Sequence, residues 1–153
     1  MPQGPENRML NRLKPKLEAN LNIEIEKTNN AFRGGRPDWD VFGQRGNALF
    51  IEAKHWSRSV KLDQDDIKAT YIWEKLCKPL QRAWMKRKAA RGFPIAVLCG
   101  FDSSDNYVLF GVGPDGPLSD VATVVNYNGL VSAFMNLLEH GASYTTHEQE
   151  ETV

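Results

Sequence analysis

The chain has few of the features that mark secreted, membrane-embedded or cysteine-stabilised proteins. Its two cysteines, Cys77 and Cys99, are too few for a disulfide framework, and neither belongs to a paired metal-ligand spacing. No apolar run approaches the roughly 18 residues that a membrane-spanning helix needs. Residues 1–6 lack the apolar core of a signal peptide. We therefore expect two reduced, packed cysteines, no membrane partner and a cytoplasmic location.

An excess of charge of one sign is also missing. The 19 basic and 19 acidic residues cancel, so net charge alone does not indicate a nucleic-acid partner. The distribution is uneven, because basic side chains cluster between residues 75 and 91 and acidic ones in the final segment. We predict a single domain over residues 1–142 and a disordered acidic tail over 143–153. A neutral total can therefore conceal a basic face.

The hydrophobic pattern predicts alternating helices and strands. Apolar positions at three- and four-residue steps predict a first helix over 6–19, which Pro15 is expected to kink or shorten. Further helices are expected over about 63–77, from Pro79 to 91, and over 130–140; strands are expected over 21–26, 39–42, 48–51, 95–99 and 107–112. This order predicts an α/β fold with a mixed central sheet flanked by helices.

Two short acidic strings carry most of the functional signal. Pro37-Asp38 enters one predicted strand, and Glu52-Ala53-Lys54 ends the apolar strand that begins at residue 48. Since successive side chains of a strand alternate between faces, Glu52 and Lys54 should project to the same side. A carboxylate beside an ammonium, facing a second acidic segment, can hold a hard divalent cation and a water nucleophile next to a phosphodiester. The pattern indicates a metal-dependent nuclease.

These motifs resemble the PD-(D/E)XK nuclease superfamily over roughly residues 6–112. The Gly-x-Pro-Asp and Ile-Glu-Ala-Lys strings, followed by a helix with a glutamine, are most similar to virus-type replication-repair (VRR-NUC) nucleases and Holliday-junction resolvases. The resemblance implies a restriction-endonuclease-like fold. It also implies a Mg²⁺-dependent deoxyribonuclease, with Mn²⁺ able to substitute, that hydrolyses phosphodiester bonds and leaves a 5′ phosphate.

The resemblance also implies the metal ligands. Asp38 and Glu52 would bind the cation through carboxylate oxygens, with the carbonyl of Ala53 as a further ligand. Glu6 is a candidate for the additional acid that some members carry on their first helix, although an acid in a first helical turn is also favoured by the helix dipole. Asp40 would share a strand face with Asp38, and is the candidate for a second ligand or for the ligand in place of Asp38.

The remaining implied roles concern the reaction and the substrate. Lys54 would orient or help deprotonate the attacking water, and Gln81 would hydrogen-bond near the metal or the substrate. His55 should face away from the site, and Trp56 and Trp73 have packing or base stacking as alternative roles. We predict nucleic-acid contacts from basic residues of a glycine-bearing loop and of the third helix, namely Arg33, Arg36, Arg82 and Lys86.

These observations favour a DNA endonuclease selective for junctions, flaps, nicks or single-stranded ends, acting in recombination, repair or phage DNA processing. In the phage case its location would be the host cytoplasm, and two sites for two strands would favour a homodimer. The alternative is a non-catalytic nucleic-acid-binding module, or an accessory subunit, on the same fold. Endonuclease or exonuclease action, DNA or RNA as substrate, and one or two metals all stay open.

Overall fold

A computed structural model describes residues 4–28, 37–62, 66–102 and 105–141 of the chain. A short helix at Ala69–Tyr71 continues directly into one π-helical turn, Ile72–Leu76. In chain order the elements are α1 (Pro5–Leu21), β1 (Glu24–Lys27), β2 (Trp39–Phe42), β3 (Ala48–Trp56), β4 (Asp66–Lys68), α2 (Ala69–Tyr71), α3 (Pro79–Ala90), β5 (Ile95–Phe101), β6 (Tyr107–Gly113), β7 (Gly116–Pro117), β8 (Val121–Thr123) and α4 (Tyr127–His140).

The strands form a mixed six-stranded sheet in the order β1-β2-β3-β5-β6-β7. Neighbouring strands are antiparallel except for β3 and β5, which run parallel from Phe50 beside Ile95 to Trp56 beside Phe101. A parallel pair needs a crossover connection, and the segment between β3 and β5 supplies it with α2 and α3. β4 and β8 form a separate antiparallel ribbon. The predicted α/β class, with a mixed central sheet flanked by helices, is confirmed.

The helices cover both faces of the sheet. One apolar cluster joins α1 and α4 to the sheet and includes Leu10, Leu13, Leu17, Phe134 and Leu137. A second cluster, on the α2 and α3 side, includes Ile72, Met85 and Phe110. β5 is buried along its whole length, as expected for a strand covered on both faces.

The first helix is longer than predicted. It runs without interruption through Pro15 to Leu21, and its C-cap residue Asn22 has a φ of 53°, in the left-handed region. The prediction that Pro15 shortens it is therefore wrong. Pro15 is exposed, whereas Leu13 and Leu17 on either side of it are buried, so docking of the apolar face keeps the helix in place.

The segment predicted as a helix over 63–77 is only partly helical. Its described part begins with β4, turns into α2 at Ala69 and ends in the π-helical turn, while residues 63–65 lie outside the described structure. β4 and β8 were missed because each is three residues long and depends on pairing with the other. α4 begins three residues earlier than predicted, where the Asn126 side chain accepts a hydrogen bond from the Gly129 N–H (3.0 Å).

Within the described ranges, no helix combines the length and the apolar character needed to cross a membrane. The tail predicted to be disordered, 143–153, lies outside the described residues.

Replacing Pro15 by alanine should stabilise the protein. Proline inside a helix has no N–H for the preceding turn and its ring crowds the carbonyl four residues earlier. We expect Pro15→Ala to raise the free energy of unfolding in urea by about 1–3 kcal/mol. Leu17→Ala, on the buried side of the same helix, should lower it by about 2–5 kcal/mol. A less stable Pro15→Ala protein would contradict the continuous helix.

Candidate metal and catalytic site

The central strand β3 has an apolar face and a polar face near its C-terminal end. Leu49, Ile51 and Ala53 point into the cluster beneath α1 and α4. Glu52 and Lys54 alternate with them and point toward α2 and α3, yet they are only 2% and 7% exposed. β3 therefore places a carboxylate and an ammonium side by side within the protein.

Gln81 joins these two groups. The Lys54 ammonium lies 3.2 Å from Glu52 Oε2 and donates to Gln81 Oε1 at 2.8 Å. The Gln81 amide donates in turn to Glu52 Oε2 at 3.0 Å. The backbone N–H of Lys78, just before α3, donates to Gln81 Oε1 at 2.9 Å. Gln81 is thus held by the start of its own helix and orients both charged side chains.

The hydrogen bond between the Lys78 N–H and Gln81 was not predicted from the sequence. The signal is present, since the residue before a helix and the third residue inside it commonly exchange a hydrogen bond, and glutamine suits the third position. The spacing Lys78-Pro79-Leu80-Gln81 fits that pattern.

Asp38 reaches the site from the strand beside β3. Its carboxylate accepts a hydrogen bond from the backbone N–H of Ala53 at 2.8 Å. Its own carbonyl accepts from the N–H of Thr28 at 2.8 Å, which anchors this residue to the end of β1. Asp38 is therefore fastened from both sides at the point where β2 begins.

The electrostatics of the two acids call for a positive charge. Burial, followed by the charge of Asp38, raises the pKa of Glu52 to about 8, against the opposing influence of Lys54. Burial also raises the pKa of Asp38, although the Ala53 N–H lowers it. The second carboxylate oxygen of Glu52, Oε1, is buried and has no hydrogen-bond partner. A cation between the two carboxylates would relieve both conditions.

Asp40 lies two residues further along the chain than Asp38, opposite Phe50 and therefore more distant from Lys54 along β3. It is buried and pairs with Phe50 of β3 and Glu26 of β1. Asp38 is the acid that bonds to β3 through its side chain and whose charge raises the pKa of Glu52. The geometry therefore favours Asp38 over Asp40 as the partner of Glu52.

Glu6 lies in the first turn of α1, and its negative charge contributes, after burial, to the raised pKa of Asp38. This places Glu6 within electrostatic reach of the site. In the part of the chain that the structure describes, no three or more His, Cys, Asp or Glu side chains are arranged to hold one metal ion. The possible ligand set among these residues is the Asp38 and Glu52 carboxylates with the Ala53 carbonyl.

The predicted nucleic-acid residues have different surroundings. Arg33 and Arg36 lie outside the described residues. Lys86 is exposed on α3. Arg82 donates through one nitrogen, Nη1, to the backbone carbonyls of Trp73 (3.4 Å), Glu74 (3.2 Å) and Cys77. It joins the π-helical turn to α3, which the sequence did not indicate, and its contact with phosphate stays a prediction.

Two further reactive side chains near the site have structural surroundings. Burial raises the pKa of the Cys77 thiol to about 12, which keeps it protonated and a poor nucleophile or ligand. His55 follows Lys54 on the opposite face of β3, and its Nε2 lies 3.4 Å from Asp102 Oδ1.

Comparison with known proteins gave likenesses in structure and none in sequence. No protein-family model and no curated protein matched the chain. Among solved structures, Hjc, a Holliday junction resolvase from the archaeal hyperthermophile Archaeoglobus fulgidus, is similar over 80% of this chain and 86% of its own, with 13% identity and a TM-score of 0.39. We base no inference on a likeness of this size.

The raised pKa of Glu52 predicts how stability depends on pH in EDTA. The folded state binds this proton more tightly than the unfolded state, so its stabilising contribution is complete below about 4.5 and is lost as the pH rises through about 8. Urea unfolding between pH 5 and 9 should therefore show Glu52→Gln gaining stability relative to the parent as pH rises. Glu24→Gln, at an exposed position of β1, should show no such trend, and a parallel profile for Glu52→Gln would refute the assignment.

Arg82 should stabilise the protein because the charged Nη1 group lies within hydrogen-bond distance of three backbone carbonyls. A hydrogen bond to a charged group contributes about 1.5–3 kcal/mol, so we expect Arg82→Met to lower the free energy of unfolding by at least that amount. Arg87→Met, at an exposed position of α3, should change it by less than about 0.5 kcal/mol. Equal stabilities of the two variants would show that Arg82 does not hold the α2–α3 junction.

Proposed function

We propose that this protein is a metal-dependent nuclease that hydrolyses phosphodiester bonds in DNA. The observation that carries the proposal is the pair of adjacent, partly or fully buried carboxylates, Asp38 and Glu52, beside the Lys54–Gln81 hydrogen bond. A site with no task for a cation would gain little from burying an acid beside a second acid whose charge raises its pKa. Nearby lysine and glutamine donors suit a substrate that carries negative charge.

The residues present fit a hard divalent cation. Glu52 has a buried oxygen without a hydrogen-bond partner, and the other donors are the Asp38 carboxylate and the Ala53 carbonyl. Oxygen donors of this kind select Mg²⁺ or Mn²⁺ over softer metals. These three residues would hold the cation, with Glu6 as a candidate for a further contact. When bound, the cation supplies Lewis-acid chemistry that activates water and offsets charge on the phosphate.

The chain's own groups would position the reactants. The Lys54 ammonium would orient the attacking water and offset the negative charge that develops on the phosphate. Gln81 would keep the ammonium in place, because its carbonyl accepts from Lys54 while its amide donates to Glu52. The burial of this network limits water access and strengthens its electrostatic effect.

The substrate side of the proposal rests on basic residues. Five exposed basic side chains lie between the end of α2 and the C-cap of α3, namely Lys75, Lys78, Lys86, Arg87 and Arg91. They would contact phosphates without reading sequence, with Arg33, Arg36 and Arg82 as further contacts. We propose an endonuclease selective for DNA structure, acting in the cytoplasm in recombination, repair or phage DNA processing. A homodimer would supply one site for each strand.

The test is cleavage of labelled DNAs in Mg²⁺, Mn²⁺ or EDTA. The panel holds single-stranded, duplex, nicked, flapped and four-way-junction forms. We expect metal-dependent cleavage that falls by about 10²-fold or more in Glu52→Ala and Lys54→Ala. Gln81→Ala, which removes only the orienting bonds, should lose about 10- to 100-fold.

The matched controls are Glu24→Gln and Lys16→Ala, both at exposed positions, which should cleave like the parent. Asp38→Asn and Asp40→Asn separate the two candidate ligands, since calorimetric Mn²⁺ binding should be lost only in the former. Binding of DNA without cleavage under every metal would refute the enzyme and favour a binding module on the same fold.

A further inference from the structure

A stacked pair of aromatic rings lies beyond the candidate site on the same face of β3. The Trp56 and Tyr71 rings are 4.2 Å apart at centroid and inclined by only 17°. The Arg58 guanidinium lies 5.0 Å from the Trp56 ring centroid, a cation–π distance. Trp73, the other tryptophan with a possible stacking role, is 7% exposed and packs in the core.

Trp56, the inner residue of the pair, is held in place by β5 and by backbone hydrogen bonds of the segment that follows β3. Trp56 lies beside Phe101 in the parallel β3–β5 ladder, and their rings are 6.2 Å apart. The Arg58 N–H donates to the Trp56 carbonyl (2.7 Å), and the Asp102 N–H donates to the Arg58 carbonyl (3.0 Å). Tyr71 is followed at once by the π-helical turn, a rare element that often occurs at functional sites.

The outer ring of the pair is accessible. Tyr71 is 40% exposed, although one face of its ring lies against Trp56. A packed aromatic pair that served only the core would bury both rings. Here the inner ring is fixed by the sheet, the outer ring meets solvent, and a guanidinium lies alongside.

The position relative to the site suggests a ligand. Trp56 follows Lys54 by two residues on the same strand face, a distance of about 6.6 Å along the strand. Stacked DNA advances about 3.4 Å per nucleotide along the helix axis. A phosphate at Lys54 would therefore place a base about two nucleotides away near Trp56, on which the Tyr71 ring stacks.

We propose that Tyr71, supported by Trp56 and Arg58, is a stacking platform for an unpaired nucleobase close to the scissile phosphate. The location of that phosphate rests on the proposed function. Bases in a paired duplex already stack on each other, so a ring at this place favours DNA with an unpaired segment next to the cleaved bond. Every base has a π face, so the platform would select for structure rather than sequence.

The first experiment measures binding in EDTA, without cleavage. The probes are a fluorescent flapped DNA, a fully paired duplex of equal length, and flapped DNAs with single abasic positions near the junction. Base–aromatic stacking contributes about 1–3 kcal/mol per base, so Tyr71→Ala should bind the flap about tenfold more weakly and the duplex equally well. One abasic position should weaken the parent similarly and should have no further effect on Tyr71→Ala.

Three companion variants separate stacking from packing. Tyr71→Phe keeps the ring and should bind like the parent. Tyr71→Leu keeps an apolar cover over Trp56 and should bind as weakly as Tyr71→Ala while melting near the parent temperature. Met135→Ala, at a similarly exposed position on α4, should change nothing. Equal flap binding by Tyr71→Leu and the parent, or a loss as large in Tyr71→Phe, would overturn the platform.

Cleavage in Mg²⁺ separates the platform from the nuclease proposal. If the parent cleaves, Glu52→Ala does not, and Tyr71→Ala matches the parent on flaps, the platform is refuted and the nuclease stands. If no metal supports cleavage but flap binding depends on Tyr71 and on one base, the platform stands and the nuclease is refuted.

Discussion

The candidate site depends on one constraint, namely that the carboxylate of Glu52 is buried next to the carboxylate of Asp38. Glu52 is 2% exposed, and ionised acids at such depth need compensation. Lys54 and Gln81 satisfy one of its oxygens and leave the other without a partner, while Asp38 adds negative charge nearby. β3, which carries Glu52, therefore needs two correctly placed neighbours. α3 supplies the Gln81 amide, and the segment just before β2 supplies the second acid, Asp38.

The two faces of the sheet differ in their polar content. The face under α1 and α4 carries an apolar cluster, and His55 lies on the same side of β3. The face under α2 and α3 mixes apolar packing with the charged network, and a single guanidinium, that of Arg82, joins the π-helical turn to α3. Any change that loosens this junction would move Gln81 relative to Glu52. Stability and site geometry are thus linked through one hydrogen-bonded corner.

Much of the candidate site follows from local patterns. Alternation along 48–54 predicts that Glu52 and Lys54 share a face, and the proline at residue 79 predicts where the helix carrying Gln81 begins. The pairing of Asp38 with the Ala53 N–H requires the register between β2 and β3, which turn length and buried residues set together. The short ribbon of β4 and β8 escaped prediction because three-residue strands carry almost no periodic signal.

The sequence by itself determined the order of the longer helices and strands, the face of β3 on which the charged residues lie, and the residue types available to a cation. Only the tertiary structure decided the raised pKa of Glu52, the use of Arg82 at three carbonyls, and the stacking of Tyr71 on Trp56. The reason is physical. Alternation and helix caps depend on neighbours along the chain, whereas desolvation, cross-strand charge and ring stacking depend on which distant segments folding brings into contact.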